Sequence, residues 1–427
     1  MKKTVCMVLA ILMCLSVCAC GAGGDSASGG NGAFQVGFGR VDVTPEKPVH
    51  LASYGDSDTR IMEAVLHPIY SHTVAMRDSD GKTLAIITTD LTWGNDKILN
   101  DVRPRVEEKF GLPSDCVLIG GIHNHNGPHY SYSDTYDQEW KEIFINGILE
   151  SIRIALDDLA PAKVEIGRTQ TENLTFVRRY LLANGDYSGD NSNYNHNSTI
   201  VSHETEADEE VQLVRFVRDG EKHKDILMIN WQSHAAKHGH TNSLSADFAG
   251  PLRDKVDAEL GVCSIFYQGA CGNLNPVSRI NGECATSGTG YENAVKHGEL
   301  VADTVIKAWK TDEIWKEVET GKIKTDQSKF ITESSWDETN TISCGGLSFV
   351  TLPAEFFDVL GKTIKDETPF DMTVLLGFHC GKGEYLASYE GYLHGGYEPT
   401  NTRYRAGDGE KFVEFYLNSL NNLHDAK

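Results

Sequence analysis

The strongest constraint on the fold is a series of short β-rich runs separated by segments of helical periodicity. In 140–156 and 292–309 the apolar residues recur every three or four positions, as on one face of a helix. The β-rich runs are 83–89 (TLAIITT), 116–122 (CVLIGGI), 225–231 (DILMINW), 262–268 (VCSIFYQ), 346–352 (GLSFVTL) and 373–378 (TVLLGF). Strands that alternate with helices are typical of α/β proteins. We therefore predict an α/β fold, with mixed β-sheets and flanking helices in a single large domain.

The N-terminal region has the layout of a targeting segment rather than of a folded element. Residues 1–20 contain two lysines followed by a short apolar run, as in a secretory signal peptide. The end of this run resembles the bacterial lipobox, which predicts cleavage before Cys20 and lipidation of that residue; plain secretion is the alternative. Residues 21–33 are rich in Gly and Ser and predict a flexible tether. The folded domain is then 34–427, and the polar stretch 184–208 is a loop or insertion within it.

Charge and composition exclude several classes of partner. The formal net charge of the 427 residues is −22, which opposes binding to a phosphate backbone, so we predict no nucleic-acid partner. Nothing in the sequence indicates a protein partner. After the signal segment, no apolar run is long enough to cross a membrane, so contact with the membrane is predicted through the lipid on Cys20. Six of the ten cysteines lie in the domain without regular spacing, and their pairing stays open.

Residues that bind metals follow four of the predicted strands. The segments are His123-Asn-His-Asn-Gly-Pro-His129, Gln232-Ser-His234, Pro353-Ala-Glu355, and His379 with Tyr385 beyond it. Ligands collect beyond the carboxyl ends of strands in open α/β sheets, so these segments converge if the strands are parallel neighbours. Histidine and carboxylate are ligands of zinc, and a catalytic zinc keeps one position for a water that it activates as a nucleophile. A polar loop with capping histidines is the structural alternative for the His-x-His motif. His379 is close enough in sequence to Tyr385 to line the site, but we favour a surface position for it.

Five elements in order resemble the neutral/alkaline, non-lysosomal ceramidases from Gly37 to about Pro399. They are His123-Asn-His-Asn-Gly-Pro128, Asn230-Trp-Gln-Ser-His234, Ser245-Ala-Asp-Phe-Ala-Gly250, Pro353-Ala-Glu355, and the set Tyr385, Tyr392, Tyr397 and Glu398. The family is similar in being zinc amidases that split the N-acyl bond of ceramide. The resemblance implies His123, His234, Glu355 and Tyr385 as zinc ligands and His125 as general acid/base. It also implies that Arg178, with Arg179 as the alternative, and Tyr397 hold the substrate and the oxyanion.

The sequence departs from the family pattern at Gly272-Asn-Leu-Asn-Pro276. Asn275 stands where the family has a serine, Asn273 replaces an aspartate, and an asparagine side chain is no nucleophile. A mechanism in which a zinc-activated water attacks does not depend on this serine. Contacts to the polar head of ceramide, by contrast, need not be retained. The leading prediction is a zinc-dependent hydrolase of ceramide or a related N-acyl lipid. The alternatives are a zinc hydrolase of the same fold that acts on another amide or an ester, and a surface-binding lipoprotein without catalysis.

Overall fold

A computed structural model describes residues 32–189, 199–333, 336–381 and 383–426. From Gly32 onward the chain forms one compact unit. The predicted signal peptide with Cys20, most of the tether 21–33 and the centre of the predicted loop 184–208 lie outside the described residues. The predictions for the signal peptide and its lipid therefore stay predictions.

Strands and helices alternate along the described chain. The strands are β1 (Gln35–Asp42), β2 (Ala64–Val65), β3 (Tyr70–Arg77), β4 (Thr83–Thr89), β5 (Val117–Gly121), β6 (Ala160–Pro161), β7 (Lys163–Gln170), β8 (Phe176–Val177), β9 (Arg179–Leu182), β10 (Tyr187–Gly189), β11 (Ile200–His203), β12 (Glu210–Val217), β13 (Ile226–Trp231), β14 (Ser243–Leu244), β15 (Cys263–Gln268), β16 (Leu274–Asn275), β17 (Lys316–Val318), β18 (Ile323–Ile331), β19 (Trp336–Cys344), β20 (Leu347–Leu352), β21 (Glu355–Phe356), β22 (Met372–Gly377) and β23 (Tyr385–Leu386). The helices are α1 (Asp96–Phe110), α2 (Thr135–Asp157), α3 (Ala249–Leu260), α4 (Tyr291–Trp309), α5 (Asp358–Glu367), α6 (Tyr389–Leu393), α7 (Tyr397–Thr400) and α8 (Asp408–Asp425). The six β-rich runs and both helical segments of the sequence are thus confirmed, whereas the predicted loop 184–208 contains β10 and β11.

Each of the three larger sheets ends in one parallel pair of strands. The sheet orders are β5-β4-β3-β1-β6, β15-β13-β12-β7-β17 and β18-β19-β20-β22. The parallel pairs are β4 with β5, β13 with β15, and β20 with β22, and the other pairs in these sheets are antiparallel. A parallel pair needs a crossover, and α1, α3 and α5 supply it. The fold therefore contains three βαβ units, and in each unit the carboxyl ends of the two parallel strands lie side by side.

These three units meet at their edges. Of the four strands that the polar segments follow, β20 and β22 are parallel neighbours, whereas β5 and β13 belong to two other sheets. Asn230, near the end of β13, donates from Nδ2 to the carbonyl oxygen of Leu375 in β22 at 2.8 Å. The backbone nitrogen of Cys380 donates to the carbonyl of Ile119 in β5 at 3.0 Å. A Cβ on Gly120 would lie 1.9 Å from the ring of His379, so only glycine permits this approach. The polar segments converge where the edges of separate sheets are joined.

Helix packing follows the periodicity of the sequence. In α2 the buried residues include Trp140, Phe144, Ile148 and Ile152, which belong to the core of the first sheet. Burial of several large side chains of this kind contributes about 1.5–3 kcal/mol each. Ile143 shares their spacing but is 47% exposed, because it lies at the border of the buried stripe.

Two features of the described residues bear on targeting and redox state. No helix among them has the length and apolar character needed to cross a bilayer. Within the same residues all six domain cysteines are free thiols: Cys116, Cys263, Cys271, Cys284, Cys344 and Cys380.

Candidate metal centre

The turn after β5 presents two histidines side by side. The backbone of His123 has φ = 59°, which redirects the chain sharply at the end of the strand. Its ring stacks on Phe378 with 4.1 Å between the centroids. Nε2 of His125 lies 3.2 Å from Nε2 of His123, and the backbone nitrogen of His125 donates to the carbonyl of Ala235 at 3.0 Å. The His-x-His segment is thus a fixed turn whose rings point to one place, not a loose polar loop.

His234 follows β13 of the second sheet and faces this turn. Its Nδ1 donates to the carbonyl oxygen of Cys271 at 2.8 Å, and because a carbonyl only accepts, Nδ1 carries the proton. Nε2 is therefore the atom with the free lone pair. Burial lowers the pKa of His234 to about 3, so the ring is neutral at ordinary pH. A neutral histidine with its second nitrogen fixed by a carbonyl is the usual state of a metal ligand.

Glu355 completes the group from the segment that connects β20 to α5. It lies in β21, which pairs with β23 so that Glu355 is opposite Tyr385. Its Oε2 is 3.4 Å from Nε2 of His123 and 3.2 Å from Nε2 of His234. A Cβ on Gly272 would lie 2.2 Å from the carbonyl oxygen of Glu355, so a glycine is required beside it.

The donor atoms fit a metal ion better than they fit one another. Oε2 of Glu355 is buried without a hydrogen-bond partner among the described residues. Burying a carboxylate oxygen unpaired is costly unless a cation balances it. Tetrahedral zinc with bonds of about 2.0–2.1 Å separates its ligands by roughly 3.3 Å, close to the two Glu355 distances. One ring nitrogen each of His123, His125 and His234 also lies within 4.8 Å of the others, so these histidines can share a metal ion.

Arg178, between β8 and β9, and Arg179, the first residue of β9, have different partners, which separates the two alternatives for the arginine. Arg178 donates from Nη2 to the hydroxyl of Tyr385 at 3.1 Å, and its Nη1 is 3.3 Å from Nε2 of His234. Arg179 instead donates from Nε to Glu204 at 2.5 Å, away from the histidines. The structure therefore places Arg178, and not Arg179, at the cluster.

A cavity of about 680 Å³ opens beside the cluster. Tyr397 lies in its wall with its ring 5.6 Å from that of Tyr385, so all seven predicted site residues come together. The wall is formed by Tyr54, Gly55, His125, Arg178, His234, Ala236, Gly239, His240, Asn275, Val277, Arg279, Thr289, Tyr385 and Tyr397. The wall is mixed in character, because the aromatic rings of its three tyrosines and the side chains of Ala236 and Val277 add apolar surface to the hydrogen-bonding groups.

The asparagines that depart from the family pattern have different surroundings. Asn275 lines the cavity. Asn273 turns away and forms two hydrogen bonds with Asp358 at the start of α5: its Nδ2 donates to Oδ1 at 2.7 Å, and its Oδ1 accepts from the backbone nitrogen at 2.8 Å. Only Asn275 is therefore placed to meet a substrate.

The remaining histidines have structural surroundings, and one prediction about them is wrong. The sequence favours a surface position for His379, but the residue is fully buried because it fills the space left by Gly120. His238 is bonded to Ser245, and only His240 joins His125 and His234 in the cavity wall. Sequence reasoning also missed Phe378, the ring that supports His123, although it stands at a strand end beside His379.

A second group of histidine and carboxylates lies at the start of α2. Nδ1 of His50 is 2.7 Å from Oδ2 of Asp137, and its backbone nitrogen donates to Oδ1 at 3.0 Å. Asp134 is farther away, with its Oδ2 at 3.8 Å from Nε2, and its side chain is 77% exposed. In this group the donors and acceptors satisfy one another.

Comparison with known proteins agrees with this geometry. Residues 34–256 match the family described as neutral/alkaline non-lysosomal ceramidase, N-terminal. A solved structure of a ceramidase complexed with C2 is similar with a TM-score of 0.76 and 14% identity, covering 92% of this chain and 76% of that one. Neutral ceramidase from Pseudomonas aeruginosa is similar with a TM-score of 0.73 and 16% identity, covering 91% and 74%. At these identities the structures support the fold, and the matched residues show that the chain belongs to the neutral/alkaline non-lysosomal ceramidase family.

Proposed function

We propose that the protein is a zinc-dependent amidohydrolase that cleaves the N-acyl amide bond of ceramide or a related N-acyl lipid. The observation that carries the proposal is the convergence of His123, His234 and the unpartnered Oε2 of Glu355 beside an open cavity. Membership of the ceramidase family supports an acyl amide as the substrate. The donor set of two imidazoles and a carboxylate supports zinc as the metal.

His123, His234 and Glu355 would hold the ion, with Tyr385 as the fourth ligand. A zinc ion in such a site polarises a bound water and the substrate carbonyl, so that hydrolysis proceeds at neutral pH. Phe378 and the carbonyl of Cys271 keep the rings of His123 and His234 in place. The chain thus supplies a rigid ligand set and a neutralising carboxylate.

Three residues of this chain would move protons and hold the substrate. His125 lies in the cavity wall, where it takes the proton from the attacking water and gives it to the leaving nitrogen. Arg178 and Tyr397 line the same wall and donate hydrogen bonds to the substrate oxygen as negative charge develops on it. Arg178 is always charged, which suits it to an oxyanion.

Metal analysis and acyl release from ceramide, with and without a chelator, test the proposal on the purified full-length chain. We expect near one zinc per chain and release that the chelator abolishes and added zinc restores. His123→Ala should lose both zinc and release. Full release by the His123→Ala chain would contradict the proposal, and folded, zinc-treated chain that binds lipid without turnover would favour the binding lipoprotein.

A second candidate is a zinc hydrolase of the same fold that acts on a different amide or on an ester. It is favoured by Asn275 in the cavity wall, in place of the family serine. A panel of N-acyl amino acids, N-acyl sugars and acyl esters, assayed beside ceramide, separates the two. A higher kcat/KM on a polar substrate than on ceramide selects the second candidate.

We also propose that the chain is a lipoprotein held at the outer side of a bacterial membrane through Cys20. The support is the sequence of residues 1–20 with its lipobox-like end. Labelling with a fatty-acid probe during expression should mark the native chain and leave the Cys20→Ser variant unmarked. Labelling of the variant would contradict the assignment to Cys20.

A further inference from the structure

We propose that Glu398 is a positioning residue that orients Arg178 toward the metal centre. The inference rests on the proposed function for its turnover assay, but its structural basis is independent of the substrate. Oε1 of Glu398 accepts from Nε of Arg178 at 2.9 Å, and Oε2 accepts from Nη1 of Arg179 at 3.0 Å. A single carboxylate thus bridges the arginine at the cluster and the arginine behind it.

The bridge is fully buried. The side chain of Glu398 is 1% exposed, and those of Arg178 and Arg179 are 3% and 2% exposed. Charged hydrogen bonds are stronger out of water, and removal of one partner leaves the other charge unbalanced. Burial therefore makes Glu398 a strong constraint on Arg178, unlike an exposed ion pair.

The contact on Nε fixes where the other nitrogens of Arg178 point. The guanidinium is planar and rigid, so a bond on its Nε edge sets the direction of both Nη atoms. Nη2 then donates to the carbonyl of Gly272 at 2.9 Å and to the hydroxyl of Tyr385 at 3.1 Å. Without Glu398, the bond on Nε would be lost, and the guanidinium would be less firmly oriented toward these two acceptors.

Arg179 makes the bridge rigid from the other side. Its Nε and Nη2 donate to the carboxylate of Glu204 at 2.5 and 3.1 Å. Nη1 and Nη2 also donate to the carbonyls of Gly395 and Gly391 at 2.8 and 2.9 Å. Because these four hydrogen bonds fix Arg179, Glu398 has a fixed partner and in turn fixes the orientation of Arg178. The two arginines are balanced in charge by Glu398 and Glu204.

A purely structural ion pair is the competing explanation, and the chain offers a matched control for it. Glu338 accepts from Nη2 and Nη1 of Arg103 at 2.8 and 2.9 Å, at the opposite end of β5 from His123. Glu338→Gln removes the same charge from a less buried arginine pair, with side chains 12% and 19% exposed, without touching the cavity. It reports what the loss of an ion pair does through stability alone.

The test is a double-mutant cycle on kcat/KM with Glu398→Gln, Arg178→Lys and both together, measured in zinc-loaded full-length chain. We expect Glu398→Gln to lower kcat/KM roughly ten- to hundredfold, mainly through kcat, with zinc content retained. In the Arg178→Lys background the same change should cost less than about threefold, because Glu398 acts through Arg178. Glu338→Gln should have the same small effect on kcat/KM in both backgrounds.

Equal effects of Glu398→Gln in the two backgrounds would overturn the inference. If Glu398→Gln fails to fold, Glu398→Asp is used instead. Aspartate keeps the charge, but its side chain is shorter by one methylene, so we expect an intermediate loss of kcat/KM. If the native chain hydrolyses no N-acyl substrate, the proposed function fails separately. The cycle is then read from octanoate binding to zinc-loaded chain, and weaker binding that is independent of Arg178, or no binding at all, overturns the inference.

Discussion

Two groups of histidine and carboxylate in this chain differ in what their polar atoms contact. At the cluster of His123, His234 and Glu355, the carboxylate Oε2 is buried without a hydrogen-bond partner among the described residues. At the start of α2, His50 and Asp137 are bonded to each other at 2.7 Å, and the backbone of His50 is bonded to the same carboxylate. Residue types and proximity are similar, but only the first group leaves acceptor atoms facing one another.

The difference teaches that a metal site is recognised by unsatisfied acceptors rather than by ligand types alone. A hydrogen bond between His50 and Asp137 satisfies both groups, so an ion that entered would have to break it. At the first group the fixed tautomer of His234 and the carboxylate of Glu355 present lone pairs to one another, and a cation between them would satisfy both. We therefore expect the first group to bind zinc and the second to act as a structural link between α2 and the loop between β1 and β2.

The largest expected difference is between His234→Ala and His50→Ala. The first removes a ligand, so zinc content should fall to background and kcat/KM should drop by roughly a thousandfold or more. The second should keep near one zinc per chain and change kcat/KM by less than about threefold, because its ring lies outside the catalytic cavity wall. Metal analysis and acyl-release kinetics on both variants check this. Loss of zinc in His50→Ala with retention in His234→Ala would reverse the comparison.

Glu355→Gln tests the carboxylate at nearly unchanged shape. The amide is neutral and cannot balance a dication, so we expect zinc affinity to fall by roughly ten- to hundredfold or more. In the absence of metal the same variant should fold as well as the native chain, since it removes a buried charge. Competition with a chromophoric chelator measures the affinity. Unchanged affinity would exclude Glu355 as a ligand.

The sequence predicted the strands because strands carry local signals, whereas the roles of the seven site residues follow from the resemblance to the family and stay predictions. It could not predict that β5, β13 and β20 belong to separate sheets, since the joining contacts, such as Asn230 with Leu375, are non-local. Nor could it exclude Arg179 as the alternative to Arg178, because the contacts that separate them, with Tyr385 and with Glu204, are non-local. The burial of His379 likewise depends on Gly120, a partner far away in sequence.

Asp137→Asn probes the satisfied group. Asparagine keeps one acceptor but loses the charge that faces His50, so we expect the free energy of unfolding to fall by about 1–3 kcal/mol. Zinc content and kcat/KM should stay within about twofold of the native values. Urea unfolding and metal analysis on the same preparation measure both quantities. A parallel loss of zinc would mean that this group, too, contributes to the metal site.

His297 extends the comparison to a buried histidine that is bonded to no carboxylate among the described residues and that we do not predict as a metal ligand. Both of its ring nitrogens lack hydrogen-bond partners among the described residues, and burial, with a smaller contribution from Lys237, lowers its pKa to about 3. In the unfolded chain its pKa is about 6.5, so below that pH the unfolded state binds a proton that the folded state refuses. The contribution of His297 to stability is therefore complete above pH 6.5 and is lost as the pH falls toward 3.

His297→Leu should remove this acid sensitivity. Leucine is apolar and packs against the same neighbours, Trp231 and Phe248, but it does not titrate. Between pH 6 and 4 the free energy of unfolding of the native chain should fall more steeply than that of the variant, by up to about 1.4 kcal/mol per pH unit. Urea unfolding of both metal-free chains at pH 7.5, 5.5 and 4.5 measures this, and the value at pH 7.5 gives the packing difference alone. All other titrating groups are common to both chains, so parallel curves would mean that His297 is protonated in the folded state through a partner such as a buried water.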